Sequence, residues 1–415
     1  MKILAVNPGS TSTKIAVYED ETPRLVLNIR HSVEELSQFP RIIDQFEFRK
    51  KLVLEALDNN GIPFEFDAIV GRGGLLKPIP GGVYVVNDAM LDDIAHAMRS
   101  HACNLGCLIA SELAALLPGC QAFIADPGVV DELDEIARIT GSPLMPRITI
   151  WHALNQRAIA RRYAAEHNTR YENLNLVICH LGGGISVGTH CKGRAVDVNN
   201  ALDGEGPFSP ERAGTLPAGQ LIDVCSSGRF IKEELKKRIS GRAGLTAHLG
   251  TTDVPAIVKR IEEGDKHAEL VLNAMIYQIA KCVGAAAVVL YGKVDAILLT
   301  GVHHFTIAGA RVFPCSCSRL SRRRRIGSIG TECAGSFAWR ASGAGLSVIS
   351  IFFVLFSGTL CLNVQNSLFP YSKTLRFFLL KQSVLLYGNK PFRYIETRFI
   401  YRNRRTSSTD VRSSS

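Results

Sequence analysis

Along the first 301 residues the apolar positions keep two periods, and the period switches wherever turn-forming residues intervene. Residues 2–6, KILAV, are a short apolar run, NPGSTST comes next, and KIAVY is a second run; the order predicts strand, tight loop, strand. Between residues 32 and 61, Ile42, Ile43, Phe46, Val53, Leu54 and Leu57 recur at helical spacing, and DNNG supplies a stop. The strand DAIV comes next, and AFIA at residues 122–125 reads as another that ends at Asp126. Helices are predicted over residues 87–98, 105–117, 152–167 and 267–290, each amphipathic or largely apolar.

Residues 175–199 repeat the layout of the N-terminus: apolar strand, small-residue loop, strand, turn, strand. Two copies of one supersecondary unit predict a duplicated α/β fold, with a mixed sheet in each half. The boundary falls near Arg147 to His152, giving domains 1–150 and 151–301 and a cleft where both loops reach one ligand.

The patterning stops at Gly301. VDAILLTG reads as a buried strand, but VHHFTIA succeeds it, and then CSCSRLSRRRRIG and LSVISIFFVLFSGTLCLNV, with no helix caps and no sustained period. The expectation is a reading-frame change after Gly301, so that residues 302–415 translate the wrong frame. A membrane anchor competes with it: residues 341–372 carry no charge between Arg340 and Lys373, although Gly343, Gly345 and Gly358 dilute the run.

Charge changes the picture only when it is divided. The formal +10 suggests nucleic acid or an anionic membrane, yet 17 of the 48 Lys and Arg and only 3 of the 38 Asp and Glu lie after Gly301. The first 301 residues therefore carry −4 and the remainder +14, and no nucleic-acid module frames those charges. Cys103, Cys107, Cys120, Cys179, Cys191, Cys225 and Cys282 are unevenly spaced among apolar neighbours, which predicts buried thiols in a reducing compartment. Cys103 and Cys107 share a helical face, but no second pair is near enough to close a zinc site. The N-terminal apolar run is too short for a secretory signal, so the cytoplasm is expected.

Two loops carry candidate chemistry. In NPGSTSTK, residues 7–14, Pro8 and Gly9 force a turn. Ser10, Thr11, Ser12 and Thr13 then offer hydroxyls and backbone N–H groups to phosphate oxygens, with Lys14 beside them. In HLGGGISVG, residues 180–188, Gly182, Gly183 and Gly184 permit close backbone approach to an anion, and His180 adds a donor. Neither loop is a Walker A sequence, and the glycines lead into a strand rather than into the helix of a dinucleotide fingerprint.

NPGSTSTK, GRGG at Gly71, DPG at Asp126, HALNQ at His152, CHLGGGISVG at Cys179 and SPERAGTLP at Ser209 together resemble the acetokinase family, and within it the branch using butyrate. The resemblance runs in order from Met1 to Gly301. It implies the duplicated actin-like ATPase fold that actin shares with sugar kinases, and a homo-oligomer. It also implies transfer of the ATP γ-phosphoryl group to butanoate, or to acetate or propionate, with magnesium. Arg72 would hold the acyl group, Arg212 the phosphoryl group, and His152 would donate to the equatorial oxygens of the transition state. Asp126 would position magnesium or Arg212, while Asn7, Ser10, Thr11, Ser12, Lys14, His180 and Gly182 to Gly184 would line the phosphates. Asp197, Asp203 and Glu205 are acids in the same neighbourhood without an assigned role. The resemblance also places an adenosine-binding glycine pair and a magnesium-linked glutamate beyond Gly301, where this chain reads LLTGVHH. The chain as written is therefore expected to be impaired, and a nucleotide-binding relic is the alternative to a working kinase.

Overall fold

The computed structural model describes residues 1–97 and 101–302 and the backbone of three short strands beyond them. Two compact units result, Met1–Ser342 and Gly343–Ser415.

The first unit opens with an antiparallel meander of β1 (Lys2–Pro8), β2 (Ser12–Glu19) and β3 (Thr22–Arg30). Alternation puts Leu4, Val6, Ile15 and Val17 on one buried face, which is why these runs settle as strands. Strand β3 has no fully buried residue and lies at the sheet edge, so its sequence lacks the apolar signal that would have predicted it. The single helix expected over residues 32–61 is broken. Helix α1 (Val33–Ser37) starts on a capping box between Ser32 and Glu35. Pro40 lies just beyond it, and a 3-10 turn leads into α2 (Phe46–Asn59).

Strand β4 (Ala68–Gly71) pairs parallel to β1; β5 (Val83–Val85) and α3 (Asp88–Ala95) come next. Met98, the expected last residue of that helix, lies outside the described residues. Helix α4 (Asn104–Ala115) then crosses over to β6 (Gln121–Ala125), which pairs parallel to β4. The sheet order is β3-β2-β1-β4-β6-β5. Leu105, Ile109 and Leu113 of α4 pack on Leu4, Val6 and Ile69, joined by Val53 and Leu57 of α2.

After α5 (Glu135–Arg138) and α6 (Ala153–Glu166), the meander recurs as β7 (Asn175–Leu181), β8 (Ile185–Cys191) and β9 (Arg194–Val198). Helices α7 (Ala218–Ser226), α8 (Lys232–Ile239), α9 (Gly244–Leu249), α10 (Val254–Glu262) and α11 (Lys266–Val289) separate it from β10 (Ala296–Thr300), parallel to β7. Strand β11 (Phe337–Arg340) pairs antiparallel to β10, giving the order β11-β10-β7-β8-β9. One face of this sheet, with Val177, Cys179, Ile185 and Val187, packs on Met275, Ile276, Ile279 and Val283 of α11. The other face, with Leu176, Ile178 and Leu298, packs on Ile159, Ala160 and Tyr163 of α6. Helix α11 is long and apolar enough to cross a membrane, and here it is the main core helix of this sheet.

The second unit holds the antiparallel pair β12 (Cys361–Val364) and β13 (Leu375–Phe378). The charge-free run expected as a possible anchor otherwise lies outside the described residues. All seven cysteines up to Cys282 are free; Cys225 is exposed, which departs from the expected burial. Among the described residues no group of three His, Cys, Asp or Glu side chains is placed to hold a metal ion.

Candidate active site

The loop between β1 and β2 is set by their register, which pairs Asn7 with Lys14 and Pro8 with Thr13. Asn7, Ser12 and Lys14 share the face opposite Val6, Thr13 and Ile15, while Ser10 is exposed at the tip with Thr11. The loop is braced from beneath by a residue that helical periodicity concealed. Arg49 of α2 is fully buried, and its Nη1 donates to the carbonyl oxygens of Gly9 (2.9 Å) and Ser12 (3.1 Å) and to Thr13 Oγ1 (3.0 Å). Burial lowers its pKa to about 10, so it remains a cation under the loop at neutral pH.

Arg72 leaves the end of β4 at a place where two backbones nearly touch. A Cβ on Gly71 would collide with the Gly106 carbonyl, and one on Gly106 with the backbone of Arg72. The two glycines thus let the first turn of α4 press on β4. Arg72 Nη1 reaches Asn7 Oδ1 at 3.3 Å, which joins the GRGG motif to the first loop. His101, just before α4, holds the backbone N–H of Cys103 on its Nδ1 at 3.2 Å. Burial, then the charges of Arg72 and Arg212, push its pKa down to about 4. No motif read from the sequence included His101; only the fold brings it into the field of the two arginines.

The second loop joins β7 to β8. Gly182 donates its N–H to the Gly184 carbonyl (3.1 Å), so that donor points into the loop instead of toward a phosphate. The Gly183 carbonyl accepts from Ser209 Oγ (2.5 Å) and from the Glu211 N–H (3.2 Å), which ties SPERAG to the glycines. A Cβ on Gly184 would run into the Arg212 guanidinium, which itself donates to the Ala201 carbonyl. Burial lowers the Arg212 pKa; Glu211 and Asp203 oppose that shift and Arg72 adds to it. Asp203 and Glu211 are therefore carboxylates whose charge reaches Arg212. Sequence reasoning gave Glu211 no role, although it stands inside the SPERAG motif.

His152 sits at the N-cap of α6, and its ring stacks on His180 with centroids 3.8 Å apart and planes 11° from parallel. His180 Nδ1 lies 2.7 Å from Asn155 Oδ1, one turn into α6. Burial depresses the His152 pKa well below 6.5, and His180, Arg212, Arg72 and His101 add to the effect. His152 is thus neutral at physiological pH, in the combined field of both arginines.

Asp126, at the end of β6, is held by α6. It is buried at a left-handed φ of 36° and forms ion pairs with Arg157 (2.8 Å) and Arg161 (2.9 Å) of α6. The Arg157 contact is off the N–H direction, so it acts as an ion pair without a hydrogen bond. Both carboxylate oxygens of Asp126 thus face guanidinium groups of α6. Arg147 binds Asp197 (2.8 Å) and Glu205 (3.3 Å), while the charge of Asp203 acts on Arg212.

The chain matches the acetokinase family over residues 150–303. A relative from Bacteroides thetaiotaomicron named "Probable butyrate kinase" is 76% identical over 301 residues, covering 72% of this chain and 85% of the relative. A second relative of that name, from Phocaeicola vulgatus, is 54% identical with the same coverage. Among solved structures, an acetate kinase of Porphyromonas gingivalis has a TM-score of 0.60 at 18% identity, covering 76% of this chain and 87% of its own. A propionate kinase of Francisella tularensis has a TM-score of 0.59 at 17% identity, covering 77% and 88%. At those identities the structures establish the fold, the duplicated actin-like α/β architecture. With 85% of a 76% identical relative covered, the chain belongs to the acetokinase family of carboxylate kinases.

Proposed function

We propose that residues 1–301 carry a site that moves the γ-phosphoryl group of ATP to butanoate, forming butanoyl phosphate, and that the sequence after Gly301 impairs it. The observation that carries the reading is the convergence of Arg72, Arg212 and a neutral His152 at the glycine loop. A carboxylate acceptor is ionised at neutral pH and needs no general base. The barrier is repulsion between two anions, and guanidinium groups held in place before substrate arrives lower it without reorganisation. Arg72, tied to Asn7, binds the acyl carboxylate. Arg212 binds the transferring phosphoryl group, and His152 donates to its oxygens as charge spreads over them. Ser10, Thr11, Ser12, Lys14, His180, Gly183 and Gly184 border the phosphates, and the Arg49 cation beneath the first loop favours them further.

Asp203 and Glu211, whose charges act on Arg212, would hold magnesium, since this hard cation takes one or two carboxylates together with substrate phosphates. Bound there, it would supply charge neutralisation on the phosphate chain. Butanoate is preferred to acetate or propionate on the names of the two relatives. One methylene alters discrimination by only about 1–3 kcal/mol, so chain length is decided by a hydroxamate assay over acetate, propionate, butyrate and valerate.

The domains 1–150 and 151–301 each supply one loop. Gly301 keeps a left-handed φ of 93° against Leu181, where a Cβ would collide with backbone, so a chain path that requires glycine extends to this residue. A reading-frame change in the next codon accounts for the loss of pattern beyond it. Purified chain is expected to show acyl phosphate formation far below family rates, and a family-typical rate would refute the impairment. Resequencing the gene around codon 301 and finding no other frame that resumes the family pattern would refute the frame change. If the chain with a relative's C-terminal segment phosphorylates none of the four acids, the kinase reading itself falls.

A further inference from the structure

The kinase reading uses His152 as a hydrogen-bond donor, but a neutral imidazole carries its proton on only one nitrogen, and the donor must face outward. Behind His152 lies a chain of buried polar groups that no motif brought to notice. Its Nδ1 lies 2.9 Å from Ser186 Oγ on β8. Ser186 Oγ also lies 2.8 Å from Gln156 Nε2 on α6, and Gln156 Oε1 lies 2.8 Å from His190 Nε2. His190 Nδ1 lies 2.5 Å from the Tyr171 hydroxyl. Ser186, Gln156 and His190 are each 0% exposed and Tyr171 is 2% exposed, so water cannot take any link's place.

The direction of the hydrogens in this chain can be followed outward from one fixed group. The Ser186 backbone carbonyl, which only accepts, lies 3.0 Å from Gln156 Nε2. That nitrogen is therefore the amide NH2, and its two hydrogens go to the Ser186 carbonyl and to Ser186 Oγ. Gln156 Oε1 must then accept from His190 Nε2, leaving His190 Nδ1 to accept from Tyr171. Burial keeps His190 neutral, with a pKa of about 3, as this pattern requires. Ser186 Oγ accepts from Gln156, and among the described residues the one other partner its hydroxyl has is His152 Nδ1, so its own proton goes there. From this we infer that Tyr171, His190, Gln156 and Ser186 are positioning residues that fix His152 as the Nε2–H tautomer and aim that proton at the substrate. The inference rests on the proposed function for its purpose, but not for its geometry.

Gly188 of β8 is part of the device. A Cβ there would meet Gln156 Oε1 and His190 Nε2, so this strand needs a glycine beside its partner helix to admit the amide. A strand interior ordinarily disfavours glycine, and close approach of another group is what justifies one.

The test is long-range proton–nitrogen NMR of the full chain with 15N-labelled histidine, with His152 assigned by loss of its signals in His152→Gln. The expected spectrum has one pyridine-like nitrogen at Nδ1 and one pyrrole-like nitrogen at Nε2. Gln156→Glu, read at a pH where the new carboxyl is ionised, keeps the shape but cannot donate to Ser186. The Ser186 hydroxyl then turns to the new carboxylate, and His152 passes from wholly Nε2–H to mostly Nδ1–H. Ser186→Ala, the milder change, should leave a mixture of both tautomers. A proton on Nδ1 in the unaltered chain, or a tautomer that neither variant moves, would overturn the inference. The readout needs no turnover, so it is independent of the kinase reading, which the loss of acyl phosphate formation in His152→Ala tests separately.

Discussion

In the first sheet the strand beyond β4 is β6, which runs parallel and arrives by way of helix α4; in the second, the corresponding flank of β10 carries β11, which runs antiparallel. The two halves otherwise match: an antiparallel three-strand meander, then a parallel strand beside its first member. In the first half the crossover helix does two jobs. Its apolar face covers Leu4 and Ile69, and its first turn presses on Gly71 to present Arg72. In the second half α6 and α11 cover the two faces, but no helix after β10 stands among the described residues. In the first half, then, the crossover after the fourth strand both covers the sheet and presents Arg72.

The strongest way to break this asymmetry is to replace residues 302–415 with the C-terminal segment of the Bacteroides thetaiotaomicron relative. Acyl phosphate formation in the hydroxamate assay should rise by about 10³-fold or more, the scale of restoring preorganised contacts to the transferring group. No gain would locate the defect before Gly301. In the repaired chain, Arg212→Ala and Arg72→Ala should each lower kcat by about 10²–10³-fold. Arg212→Lys should recover little, since a point charge does not replace the planar fork.

Core truncation sharpens the comparison at the level of stability. Leu105→Ala should cost about 2–5 kcal/mol in urea unfolding. Leu298, equally buried beneath α6, should lose a similar amount on Leu298→Ala, with or without the relative's C-terminal segment. A loss well below that range in the chain as written would mean that the second sheet is not sealed.

The mildest perturbation is a change of pH, which acts on both halves. His101 and His190 titrate at about 4 and about 3 when folded, against roughly 6.5 in an unfolded chain. Below pH 6.5 the unfolded state takes up protons that the folded state refuses. Stability should therefore fall as pH drops from 6.5 toward 4, by up to about 1.4 kcal/mol per unit for each histidine. A urea midpoint that does not change over that range would contradict the neutral burial of both rings.

Much of the architecture was legible along the chain. The strands at residues 2–6 and 175–181 and the helices at 152–167 and 267–290 carry their burial in their periodicity, so local spacing sufficed. Strand β3 escaped because an edge strand buries little, and the helix at 32–61 was overextended because Pro40 interrupts an otherwise continuous apolar period. Within the site, Arg72, His152, His180 and Arg212 announced themselves through glycine-rich or helix-initiating motifs. His101, Arg49, Asn155 and Glu211 did not, because each is placed by an element distant in sequence.

By itself, then, the sequence determined the two meanders, the two loops and the point where patterning ends, since these arise from alternation, from turn chemistry and from the loss of both. Only the tertiary structure decided that Asp126 serves Arg157 and Arg161, that Arg49 lies under the first loop, and that a buried amide orients the proton of His152. Pairing between groups dozens of residues apart leaves no period in a sequence. It is fixed by which side chains the packed helices and sheets leave facing one another, and by the need of every buried donor for an acceptor.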